Sequence, residues 1–215
     1  MVVSWNPKIL ERHLAPGIGS FTAASIPDLR DEFNQAEHWV TNYFLNTITG
    51  GAFNSPHKQW ALNFLFRSRV AFHSYHAARD TTLSYLANSA PARPNMRYYC
   101  DAIGSWETTL LNWAICLRIV NAMNQQPVFV KGDGSVEERA YNLSNQVKHW
   151  AEGKIFDSDD TLPVWLTNNG LSSKVGEVEY GELGDLMRDL GKLSDEVQNP
   201  ASMVAREQQR RADGR

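Results

Sequence analysis

The stretch SPHKQWALNFLFRSRVAFHSYHAARD, residues 55–80, decides the fold. Ser55 followed by Pro56 is a helix-start signal, with a serine at the N-cap and a proline at the first helical position, where its lack of an N–H does no harm. No breaker follows until Pro91, so the spacing predicts a single helix that spans about 50 Å at 1.5 Å per residue. Trp60, Leu62, Phe64, Leu65, Phe66, Val70, Phe72 and Tyr75 cover more than one side of it. A helix apolar on several sides is central and touched by several neighbours.

Working outward, residues from about Asn95 to Asn124 carry Tyr99, Ile103, Trp106, Leu110, Trp113, Leu117 and Val120 at helical spacing. Two antiparallel helices of matching length then form the spine. Upstream, a helix is expected to begin near Pro27, with Ser25 as its cap and Asp28, Asp31 and Glu32 complementing its positive end. Its inward face is Leu29, Phe33, Ala36, Trp39 or Val40, and Tyr43 or Phe44, and Gly50 and Gly51 end it. Downstream, Lys131-Gly132-Asp133-Gly134 is a turn, and Ser135 with Glu138 is a capping box that opens a fourth helix. Residues 153–178 read as a loop excursion with room for a short hairpin, Val164-Trp165-Leu166 being an apolar plug between turns. A last helix, about 180–198, repeats Leu183, Leu186, Leu190, Leu193 and Val197.

The fold class expected from these elements is all-α: a single helical bundle of about five main helices with the excursion at 153–178. Residues 1–25 form a lead-in with a short helical piece, 26–198 the bundle domain, and 199–215 a flexible tail tipped by Arg206, Arg210, Arg211 and Arg215. A chain of 215 residues can bury a substantial core, and seven Trp, seven Tyr and nine Phe make that core rich in rings. A net charge of −3 excludes a global cationic field for duplex binding. No apolar run reaches the roughly 20 residues of a membrane span. Cys100 and Cys116 share one expected helix about 24 Å apart, beyond disulfide reach and without zinc spacing. A cytoplasmic protein is expected, with no membrane partner and no cofactor.

Two polar stripes interrupt the apolar pattern. On the long helix, Arg69, His73, His76 and Asp80 are spaced four, three and four and point the same way. Such a set suits proton transfer or phosphate contact, since His titrates near neutrality and Arg can grip a phosphate in a fork. It also suits a solvated face, or one paired with another element in which His73 and His76 hydrogen-bond to neighbours. His73, His76 and Asp80 could also present two nitrogens and an oxygen to a metal, although the Glu-x-x-His pattern of helical di-metal bundles is absent. On the fourth helix, Arg139, Asn142, Asn145 and His149 share a face beside the apolar Val136, Ala140, Leu143, Val147 and Trp150. Asn is a poor mid-helix residue, so the two asparagines point either to a site or to hydrogen bonds that fix the excursion.

This helical order, with the run Arg139-Ala-Tyr-Asn-Leu-Ser-Asn-Gln-Val-Lys-His149, resembles the HEPN superfamily of prokaryotic helical proteins over roughly residues 26–198. Active HEPN ribonucleases carry an Arg, four to six residues, then a His. Nine residues separate Arg139 from His149, whereas Arg67 with His73 and Arg69 with His76 meet the spacing within the long helix. The resemblance implies a homo-oligomer or a partner protein, association with RNA, and a place in toxin–antitoxin, stress or phage-defence systems. The function expected is a regulatory or interaction component, weakly catalytic or non-catalytic. Whether it is an enzyme stays open at this point. The alternatives are a metal-independent ribonuclease using Arg69, His76, Arg139, Asn145 and His149, and a metal-dependent enzyme using His73, His76 and Asp80.

Overall fold

In the computed structural model, residues 6–50, 57–124, 127–150 and 162–199 are described. Among them the order is α1 (Pro7–His13), a 3-10 turn (Ala36–His38), α2 (Trp39–Gly50), α3 (His57–Asn88), α4 (Met96–Asn124), α5 (Val136–His149), strands β1 (Trp165–Leu166), β2 (Gly170–Ser173) and β3 (Gly176–Glu179), and α6 (Tyr180–Val197). The expected Ser55-Pro56 cap, the start of the excursion up to residue 161 and the tail from Pro200 onward lie outside the described residues.

The spine is α3 and α4, which pack along their lengths. A tight turn joins them, in which Ala90 and Arg93 exchange backbone hydrogen bonds and the Ser89 hydroxyl accepts from the N–H of Asn95. As the aromatic pattern requires, α3 is buried on more than one side, at Phe64, Leu65, Phe72, Tyr75 and Tyr85. Small polar residues on its inner face are satisfied locally. Trp106 of α4 donates its indole N–H to the Thr82 hydroxyl at 3.1 Å, and Ser68 meets the buried Cys116 sulfur at 3.5 Å. Both cysteines are free. No helix among the described residues is long and apolar enough to cross a membrane.

The expected first helix is corrected. The chain from Ile26 to Gln35 is a strap of turns lying between α3 and α6, and α2 starts only at Trp39. Carbonyls that would open a helix are used by α3 instead: Tyr75 donates to the Pro27 carbonyl at 2.9 Å, and Arg79 to that of Ile26 at 3.2 Å. Two glycines on one face of α6 let the strap lie directly on that helix. A Cβ on Gly184 would sit 2.8 Å from Pro27, and one on Gly191 would overlap the Phe33 ring. Glu32 grips Arg188 through two hydrogen bonds, and Trp39 donates to Asp195 at 2.7 Å. Local helix signals thus yield to tertiary hydrogen bonds and ring packing.

The all-α expectation is corrected as well, since the fold is mostly helical but carries a small antiparallel sheet of order β1-β2-β3 within the excursion. Leu166 pairs with Leu171, and Leu171 with Val178. All three side chains and Val164 are fully buried. Strands of two and four residues are too short to show an alternating pattern. The sheet faces α5 and the start of α6, and Tyr99 of α4 accepts from the N–H of Leu166. The lead-in shares the same core: Leu10, Ala15, Ile18 and Phe21 are buried, and Phe21 stacks on Tyr85 at 5.4 Å. The Asn168 side-chain oxygen accepts from the N–H groups of Thr22 and Ala23, tying the lead-in to the β1–β2 turn.

Candidate functional site

Helical spacing on α3 does bring Arg69, His73, His76 and Asp80 to one face, and the strap with its 3-10 turn lies over that face. Arg69 pairs with Glu37 at 2.8 Å. Asp80 accepts from Arg30 at 2.6 Å and lies 3.5 Å from Arg79, while both arginines also hold Asp28, at 3.0 and 3.2 Å. Two cations and two carboxylates therefore neutralise one another across the junction of strap and helix. Beside them is a pocket of about 470 Å³ whose lining includes Phe33, Glu37, Phe72, His73 and His76. His73 is exposed, whereas His76 is half-buried, edge-on to Tyr75 at 5.5 Å.

The Nδ1 atom of His76 is buried and takes no hydrogen bond among the described residues. Burial lowers the pKa of His76, Arg30 and Arg79 act the same way, and Asp28 and Asp80 oppose them without prevailing. With the folded value below the ordinary 6.5, the unfolded chain takes up this proton first as the pH drops. Stability from neutral His76 is therefore full above about pH 6.5 and is lost as the pH falls from there through the lowered folded value. His76→Phe is expected to flatten that acid limb in urea-unfolding midpoints followed from about pH 7.5 to about pH 5. An unchanged limb would place the titration elsewhere.

The metal-binding alternative finds no gathered ligand set. Among the described residues no group of three His, Cys, Asp or Glu side chains is placed to share an ion, and the Asp80 carboxylate faces Arg30. The pair Arg67 and His73 is also divided: Arg67 reaches inward to the Asn112 amide oxygen at 3.2 Å, while His73 faces out.

On α5 the Ser135 cap forms, its hydroxyl accepting from the N–H of Glu138 at 3.2 Å. The other half of the expected capping box does not. Glu138 instead turns its carboxylate to the N–H groups of Gly132 and Gly134, and Asp133 accepts from that of Ser135. Arg139 is bound bidentately by Glu182 of α6, and it also donates to the Glu177 carbonyl of β3 at 2.7 Å. The Glu182 side chain in turn accepts from the Glu179 N–H, completing the capping box that starts α6. One guanidinium thus joins α5, the sheet and α6. Its carboxylate partner lies below the usual Glu range because of that hydrogen-bonded pairing. Asn142, Asn145 and His149 are half-buried on the same helix.

The structure thus gives the two stripes different partners, the strap for Arg69 and Asp80, and the sheet and α6 for Arg139. Sequence reasoning missed Arg30, Glu37, Arg79, Glu177 and Glu182, the residues that engage them. Only Glu182 carried a local signal, as the third residue after the cap of α6, and an unusual Glu at that cap hid it. No protein-family profile matches the chain, and comparison with curated proteins and with solved structures finds no similar one.

Proposed function

We propose that the chain is a helical regulatory or interaction component of a microbial nucleic-acid-linked system of the stress, toxin–antitoxin or phage-defence kind, HEPN-like in type and non-catalytic or weakly catalytic. One observation carries the low-activity part. The guanidinium groups of Arg69 and Arg139 and the carboxylate of Asp80 are each taken up by an oppositely charged side chain. Stabilising a phosphate during cleavage requires cations aimed at the developing charge, and these would first have to leave their carboxylates. A partner, either a second copy of the chain or another protein, belongs to this reading. Phe44 and Ile48, 48% and 81% exposed and one turn apart on α2, are the surface that supports it.

A cleavage assay with labelled single-stranded and hairpin RNA, without added metal, tests the reading. The purified protein is expected to cleave no faster than the blank. Cleavage that disappears in both His76→Ala and His149→Ala would replace the proposal with the metal-independent ribonuclease.

A further inference from the structure

A different cationic cleft lies where α4 ends and α5 begins, and neither polar stripe contributes to it. Arg118 and Asn121, one turn apart near the end of α4, form one wall. Phe129, Lys131 and Tyr141 complete most of the lining around a volume of about 380 Å³. Small-molecule sites commonly occupy roughly 300–1,000 Å³.

The loop that carries Phe129 and Lys131 is fixed by its own acids. Asp133 accepts from the N–H groups of Val130 and Ser135, and Glu138 from those of Gly132 and Gly134. Gly132 and Gly134 both have positive φ, at 88° and 71°, which a turn this tight requires. The Asn121 oxygen accepts from the Val128 N–H at 2.9 Å, securing the loop to α4. The carboxylates of Asp133 and Glu138 are thereby committed to backbone amides, and no acidic residue lines the cleft among the described residues. Arg118 and Lys131, both exposed, make no ion pair or hydrogen bond among the described residues.

Beside these two uncompensated cations stand two rings, Phe129 and Tyr141, with centroids 5.5 Å apart and planes inclined at 51°. The Asn121 NH₂ group stays available as a donor after its oxygen is used. Cations without counter-ions attract phosphate, and a guanidinium grips it in a fork. Aromatic faces accept any nucleobase by stacking. An acidic chain that keeps two such cations beside two half-buried rings at the edge of a cleft presents a local anionic-ligand site on an otherwise unattractive surface.

We propose that this cleft binds a nucleotide, its phosphate on Arg118 and Lys131 and its base against Phe129 and Tyr141, either free or as one unit of single-stranded RNA. The site goes beyond the function proposed above and holds whether or not the chain cleaves RNA.

Calorimetric titration of the full chain with AMP, with inorganic phosphate and with an oligoadenylate of about ten units tests it. AMP or the oligomer is expected to bind, and inorganic phosphate to bind at least about 10-fold more weakly than AMP, since the base contact is lost. The double variant Arg118→Gln/Lys131→Gln changes only exposed side chains, so its thermal midpoint should match the parent. Its affinity for the binding probe should fall by about 10-fold or more. Equal affinity per site for AMP and oligomer assigns a free nucleotide, and a tighter oligomer with a steeper salt dependence assigns RNA. Phe129→Leu should weaken AMP and leave phosphate unchanged. Failure of both AMP and oligomer to bind below about 1 mM, or full affinity in the folded double variant, would overturn the site. Cleavage of the oligomer during titration would overturn the non-catalytic reading instead and leave the site standing.

Discussion

Gly170→Ala is expected to lower folding stability by about 3 kcal/mol, at the top of the range for overpacking. A Cβ at this position would overlap the carbonyl oxygen of Val178 and lie 2.7 Å from the Cα of Glu179. Both obstacles are backbone, so no rotamer change relieves them, and β2 must move away from β3. That movement breaks the link by which the N–H of Tyr180 donates to the Asn169 carbonyl at 2.8 Å, just where α6 begins. Gly181→Ala, one residue into α6, is the control. Nothing lies within 4 Å of its added methyl, and alanine favours a helix over glycine by up to about 1 kcal/mol. Urea unfolding of the two variants should therefore move in opposite directions. A Gly170→Ala midpoint equal to that of the parent would show that the two strands do not pair in this register.

Trp106→Ala is expected to cost about 3–5 kcal/mol, the range for deleting a large buried ring. The indole is fully buried, edge-on to Tyr75 of α3 at 5.5 Å and tilted against Tyr180 of α6 at 5.7 Å. It therefore joins three helices and, through Tyr180, the sheet. Trp106→Phe keeps most of the ring but removes the donor to Thr82, a loss of about 1–2 kcal/mol when the partner stays buried. Thermal melts of the pair should rank Phe between the parent and Ala. A loss below about 1 kcal/mol for Ala would remove Trp106 from the centre of the bundle.

What could be read beforehand follows the range of the forces involved. Helices α3, α4 and α6 were legible because each repeats its apolar residues over many turns, and α5 because Ser135 is a strong local cap. The strap was misread for the opposite reason. Ser25, Pro27, Asp28 and Glu32 are good helix-start residues, yet their conformation is set by Tyr75, Arg79, Arg188 and two glycines of α6, all distant in sequence. The plug at 164–166 was recognisable as apolar, but strands this short carry no period. For the site, helical spacing correctly put each stripe on one face. It could not show that Arg69, Asp80 and Arg139 meet opposite charges from other elements, because an ion pair across a bundle leaves no trace in either partner's local pattern. The cleft at the α4–α5 turn was hidden more simply, since its residues come from a helix end, a loop and a helix start.

The strap also sets a timetable for the newborn chain. Glu32 and Trp39 meet Arg188 and Asp195 across 156 residues. At roughly 5–20 residues per second of synthesis, that gap lasts roughly 8–30 s. Throughout it, Phe33 and Trp39 can pack on Phe72 of α3, while the helix on their other side does not yet exist. α3 and α4, joined by a short turn, can already pair during that time. The early segment therefore waits with only one side covered, and the arrival of α6 closes the other side over a stretch made 156 residues before it.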